Sequence, residues 1–135
     1  MKTSLKTINK EFKEILRIES IIGTKDITES DANFLKKRAE SGSPRAMFDY
    51  GLFLLINKEI KEDAILWFNR HLKVCNGYGL WRASGIFAQL FDEYQDLDWY
   101  EWSIKCLRRS AWRQFKLAKK MLKDMKENPY SFPEA

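Results

Sequence analysis

His71 and Cys75 are the residues of this chain whose types and spacing could do covalent chemistry. One helical turn separates them, so an imidazole could face a thiol, the pairing a thiol enzyme needs to raise its nucleophile. Such an enzyme also needs a third group that orients the base. A Cys–His pair at i, i+4 on one helix is more commonly packing, and it is read so here. His71 is the only histidine, and Cys75 and Cys106 are the only cysteines. That set cannot make a tetrahedral zinc site unless carboxylates complete it. No G-x-S-x-G, phosphate loop, metal-ligand spacing or dinucleotide fingerprint occurs. The chain is therefore expected to be non-catalytic and to carry no cofactor and no metal.

Non-covalent chemistry is better represented. Asp92 to Glu101 holds five acids (Asp92, Glu93, Asp96, Asp98, Glu101) and no base. Lys105 to Lys126 holds nine bases and one acid. Within it Lys105, Arg109, Arg113, Lys116, Lys120 and Lys123 follow steps of four and three, which on one helix makes a stripe. An apolar row from Leu107 to Met125 runs opposite. Like charges at i, i+4 cost a helix a few tenths of a kcal/mol per pair, so the stripe does not serve helix stability. It reads either as the solvated face of an amphipathic helix or as an electrostatic patch for an acidic protein or nucleic acid. No nucleic-acid-binding motif accompanies it, which favours a protein. Trp99, Tyr100 and Trp112 flank the acidic turn and the basic stripe. They are expected to be exposed and, beside arginine, to form a binding hot spot.

Helices must position these groups. Apolar residues recur at steps of three and four from Ser4 to Ile22, and Gly23 ends that segment. A second helix starts near Thr28-Glu29-Ser30-Asp31, capped by Thr28 with Asp31 or by Ser30, and stops at Ser41-Gly42-Ser43. Pro44 opens a third, to about Asn57. A fourth covers Lys61 to Val74, and Asn76-Gly77-Tyr78-Gly79 reads as a turn. A fifth covers Leu80 to Tyr94. Gln95 to Asp98 is an acidic linker, with Asp98 as the cap of the next helix. From Trp99 the pattern continues to Asn128-Pro129 as one long helix or as two broken near Ser110. Residues 129–135 read as a loose tail. No segment alternates as a strand would.

The spacing also repeats. Trp67 and Trp102 are 35 residues apart, as are Ala83 and Ala118, and Phe34 lies 33 before Trp67. A period near 35 is a two-helix unit. Ala39-x-x-Gly42-x-x-x-Ala46-x-x-x-x-Gly51, followed by Asp63-Ala64-Ile65-Leu66-Trp67-Phe68, resembles Sel-one-like repeats, a subclass of the tetratricopeptide-type repeats. The match covers about Ala32 to Gly77, and Leu80 to Met121 resembles a degenerate second copy. His71 and Cys106 stand where the family's units usually keep small residues. The resemblance implies protein–protein adaptor work on a concave surface.

The expected fold is thus all-α, a short right-handed helical-repeat solenoid of antiparallel helix pairs with six or seven helices. It is read as a single domain over residues 1–135. Residues 1–23 form a capping helix, 28–77 the best-matched repeat, and 78–128 the degenerate repeat and basic terminal helix. The composition is globular, with 44% apolar and 32% charged residues and a net charge of +5. No apolar run approaches the ~20 residues that span a bilayer, and the first ten residues lack a signal-like apolar core. A cytoplasmic protein with reduced thiols and no membrane partner is expected. The functional expectation is an adaptor, regulator or inhibitor that binds an acidic protein. Its contact residues would be Trp99, Tyr100, Lys105, Arg109, Trp112, Arg113, Lys116, Lys120 and Lys123. The alternative is nucleic-acid binding through the same stripe.

Overall fold

The computed structural model describes residues 4–127, with side chains through Met125. Among the described residues there are seven helices and no strand. None is long and apolar enough to cross a membrane. The tail expected at 129–135 and the helix stop at Asn128-Pro129 lie outside the described residues. The chain divides into two compact units, one ending at Lys73 and one beginning at Val74.

The first unit holds α1 (Leu5–Glu19), α2 (Glu29–Glu40), α3 (Pro44–Ile56) and α4 (Lys61–Val74, its last residue grouped with the second unit). Its helix starts follow the capping chemistry of the sequence. Thr28 accepts the Asp31 backbone N–H, and the Asp31 carboxylate accepts the Thr28 N–H, closing a capping box at α2. Gly42, at φ +104°, ends α2 in a Schellman turn, with Ser43 N–H donating to the Arg38 carbonyl at 3.0 Å. α1 is shorter than its periodicity suggests, because Ile21 and Ile22 already lie in the turn after Glu19. Asn57, the C-cap of α3, holds that turn. Its side chain accepts from Gly23 N–H at 2.7 Å and donates to the Thr24 carbonyl at 3.2 Å.

Apolar packing then closes the unit. Ile15 and Ile18 of α1 meet Leu35 and Ala39 of α2 and Ala46 and Met47 of α3, with Phe34, Tyr50 and Trp67 against them. Gly51 lies against the buried Phe68 ring, and Phe48 packs on Phe68 at 5.5 Å. Each fully buried phenylalanine contributes about 2–3 kcal/mol through area removed from water. Arginine–carboxylate pairs join α1 to its neighbours: Arg17 to Asp31, Glu11 to Arg38, and Glu19 to Arg45.

The second unit holds α5 (Gly77–Tyr94), α6 (Leu97–Trp112) and α7 (Lys116–Glu127). The Asn76-Gly77-Tyr78-Gly79 stretch is not a free turn. Asn76 caps α5 by accepting the Gly79 N–H at 2.8 Å, and the helix starts at Gly77. The two glycines suit close approaches there. A Cβ on Gly77 would stand 2.9 Å from Phe115 Cβ, and one on Gly79 would run into Cys75 Sγ. The cap of α6 is Asp96, not Asp98; its side chain accepts the Asp98 N–H at 3.0 Å. Phe87 stacks on Trp99 at 5.9 Å and packs on Trp102 at 5.7 Å, joining α5 to α6. Polar links cross the same seam: Ser103 Oγ donates to the Ser84 carbonyl at 2.8 Å and lies 3.1 Å from Ser84 Oγ, and Ser110 Oγ donates to the Gly77 carbonyl at 2.5 Å.

The last helical stretch is two helices, broken at Arg113 to Phe115 rather than near Ser110. Gln114 adopts φ +68°, and a Schellman turn follows, with Phe115 N–H donating to the Ser110 carbonyl at 3.1 Å and Gln114 N–H to the Ala111 carbonyl at 2.9 Å. Phe115 is anchored between Tyr78 and Trp81 at 6.0 and 5.7 Å. Ala118 of α7 is fully buried. The packing of Phe115 against Tyr78 and Trp81 explains why the chain turns at a residue that is neither glycine nor proline.

Candidate binding surface

The break in the last stretch redistributes the basic residues. Lys105 and Arg109 stand on α6, Arg113 is its C-cap, and Lys116, Lys120 and Lys123 lie on α7. The continuous stripe expected on one helix is therefore not formed. In its place α6 ends in an aromatic and guanidinium cluster, and α7 carries a separate lysine face.

Trp112 is the centre of the cluster. It is 66% exposed, the most open tryptophan among the described residues. The Arg109 guanidinium lies over its ring at 4.5 Å and that of Arg113 at 6.0 Å. Two like charges one turn apart are brought to a single ring, whose negative π faces offset part of their repulsion. A turn earlier Lys105 sits over Trp102 at 4.5 Å. The spacing makes this possible, because i, i+3 and i, i+4 residues are neighbours on a helix surface. The charged group of each cation lies against a ring; Lys105 is exposed, and Arg109 and Arg113 are half-buried. The result is a surface on which an open indole and positive charge stand together.

Lys116, Lys119, Lys120 and Lys123 of α7 are exposed, with Leu117 and Met121 exposed at the border of that face. Met121 Sδ accepts from Trp81 Nε1 at 3.1 Å, which fixes that border to α5. Lys119 Nζ donates to Gln114 Oε1, linking the lysine face to the turn. Asp124 is the one acid between Lys105 and Met125.

Two of the three aromatics expected to be open are placed otherwise. Trp99 is 2% exposed, because its ring is stacked on Phe87 in the α5–α6 core, so it is corrected to a core residue. Tyr100 is half-buried against Phe91 at 5.7 Å. Trp112 alone of the three presents its ring. Trp102 supports Lys105 from a mostly buried position, a role the sequence reading missed; the Trp102/Lys105 spacing of three residues was the available signal. The acids at the other end of α6 are exposed at Asp92, Glu93, Asp98 and Glu101, whereas Asp96 is half-buried at the cap.

The residues weighed for covalent chemistry are buried. His71 is 2% exposed, with its ring 5.0 Å from Phe48. Cys75 is 5% exposed, and burial pushes its thiol up. That is the opposite of the lowered pKa that activates a nucleophilic cysteine. Cys106 is buried on α6, and its thiol is pushed up to about 12, chiefly by burial and further by Cys75.

No family model matches this chain, and no curated protein or solved structure matches it either.

Proposed function

We propose that this protein is a non-catalytic interaction module that docks an acidic partner protein through Trp112, Arg109 and Arg113, extended by Lys105 and the lysines of α7. One observation carries the reading: Trp112 is 66% exposed while an arginine guanidinium covers its ring at 4.5 Å. A large exposed ring held by arginine is costly to leave in water and has the composition of a hot spot. Carboxylates on a partner would be drawn to the positive charge that Arg109 and Arg113 bring beside the ring. Lys116, Lys120 and Lys123 add attraction that speeds encounter more than it tightens the complex. Tyr100 takes a supporting place on the same helix.

The proposal extends to the architecture. The 35-residue spacing of Trp67 and Trp102 supports a short right-handed solenoid of antiparallel helix pairs, as the resemblance to Sel-one-like repeats implies. Such an array acts as an adaptor, regulator or inhibitor of a larger protein in the cytoplasm.

The experiment is affinity capture from the source cell's lysate with the purified protein, with and without nuclease. A protein partner that survives nuclease, and is lost with Arg109→Glu/Arg113→Glu, supports the reading. Nuclease-sensitive recovery moves the same surface to nucleic acid, where exposed rings and lysines serve stacking and phosphate contact.

A further inference from the structure

The first helix presents a surface that the proposed function does not use. Leu5, Ile8, Phe12 and Leu16 of α1 are 78%, 47%, 46% and 38% exposed. Their spacing of three and four residues places them in one ridge, adjacent to the buried face of Ile15 and Ile18. Four large apolar side chains over three turns of one helix are more than scattered surface residues.

The charges beside the ridge are sorted. Every acid of α1 is held by an arginine: Glu11 by Arg38 at 3.0 Å, Glu14 by Arg17 at 2.5 Å and Glu19 by Arg45 at 2.8 Å. Lys6, Lys10 and Lys13 share one open flank of the helix and make no ion pair among the described residues. On its other side the ridge meets Arg45, which lies over the Phe12 ring at 5.5 Å while its charge is taken up by Glu19. The face offered by α1 is thus apolar along its crest and positive along its lysine flank. The chain as a whole is positive as well, at +5.

A second copy seated on the same ridge would bring lysine rows together, which charge disfavours. We infer that this face of α1 seats on an anionic phospholipid surface, lying in the plane of the headgroups. Charge complementarity and the apolar crest both fit that occupant. In-plane binding of this kind needs a helix of strong amphipathicity and modest hydrophobicity, with lysines at the polar boundary and leucine or phenylalanine on the crest. The lysine stems extend to the headgroups while the crest enters the acyl boundary. Attraction to the anionic leaflet adds with each lysine near it.

The test is co-sedimentation of the full chain with vesicles of phosphatidylcholine alone and with about one third phosphatidylglycerol. The chain is expected on the anionic vesicles and not on the neutral ones, with binding that falls as salt rises. Lys6→Glu/Lys10→Glu/Lys13→Glu weakens partitioning by more than the roughly fivefold expected for each lysine removed. Phe12→Ser/Leu16→Ser weakens it tenfold or more while circular dichroism shows the helices retained. Phe12→Trp places a reporter in a helix that has no tryptophan, and the emission it adds over that of the five native tryptophans, taken as the difference from the wild type, shifts to the blue on anionic vesicles. Absence of anionic binding overturns the inference. So does binding that survives both the ridge and the lysine variants, which would assign it to charge elsewhere, or a ridge variant that turns an oligomer into a monomer, which would make the face a self-interface.

Discussion

A Cβ built on Gly51 would stand 2.6 Å from Cε1 of Phe68, a distance that real side chains do not reach. The glycine is there because the Phe68 ring of α4 lies directly against the α3 backbone at that point and leaves no room for a methyl group. The small residue and the large one are a single packing decision read twice in the sequence.

Gly51→Ala is therefore expected to destabilise the chain. Overpacking against a buried ring at this distance falls in the upper part of the usual range, about 2–3 kcal/mol, and the better helix propensity of alanine returns about 1. A net loss of about 1–2 kcal/mol in denaturant unfolding is the expected result, with part of it recovered in Gly51→Ala/Phe68→Leu. A neutral Gly51→Ala would mean that the ring moves freely, against its near-complete burial.

The turn between α6 and α7 makes a prediction of the opposite sign. Gln114 holds a left-handed backbone at φ +68°, which costs a non-glycine residue about 1–2 kcal/mol. Gln114→Gly should raise stability by about 1 kcal/mol, less the small loss of the Lys119 contact, and shift the thermal midpoint upward. Gln114→Pro, whose ring forbids positive φ, should break the turn and loosen Phe115 from Tyr78 and Trp81.

The two cap predictions concern α2. Thr28→Ala removes one half of the capping box and should cost about 1 kcal/mol. Asp31 is held below the usual carboxylate range of 3.8, first by the Thr28 backbone N–H and then by Arg17. Its contribution is present above that value and is lost as pH falls below it, because the unfolded state then binds the proton first. Asp31→Asn should lower stability at neutral pH and flatten the acid limb of the stability profile.

Cys106 acts at the alkaline end. Its thiol is ordinary at 9.0 when unfolded and pushed up to about 12 when folded. Stability is complete below pH 9 and falls as pH rises through the window up to the folded value, by at most about 1.4 kcal/mol per pH unit. Cys106→Ala should show a shallower decline between pH 9 and 11 than the wild type, measured by denaturant midpoints. The native thiol should also resist alkylation until the chain is unfolded.

Local chemistry was the part of this fold that the sequence displayed. Thr28 with Asp31, Pro44 and Gly42 announced their helix ends, because caps and breakers act within a few residues. The break at Gln114 was hidden, because the left-handed residue is neither glycine nor asparagine and the turn is held by Phe115 between Tyr78 and Trp81, far away in sequence. The same non-local packing divided the basic stripe and drew Trp99 into the core against Phe87. Asp96 rather than Asp98 caps α6, a two-residue difference that composition alone does not resolve in a run of acids. At the surface, the Arg109, Trp112 and Arg113 cluster was legible as spacing, whereas the support of Lys105 by Trp102 required the depth of each ring.

The ring of Trp112 and the guanidiniums of Arg109 and Arg113 are proposed to act as one docking surface. The most direct measurement is nuclease-treated capture by the wild type, Trp112→Ala and Arg109→Glu/Arg113→Glu, each first shown by circular dichroism and thermal midpoint to be folded. A protein partner is expected with the wild type, and its affinity should fall about thirtyfold or more in each variant, the loss of a hot-spot residue. Equal recovery of the same partner by all three proteins would contradict it.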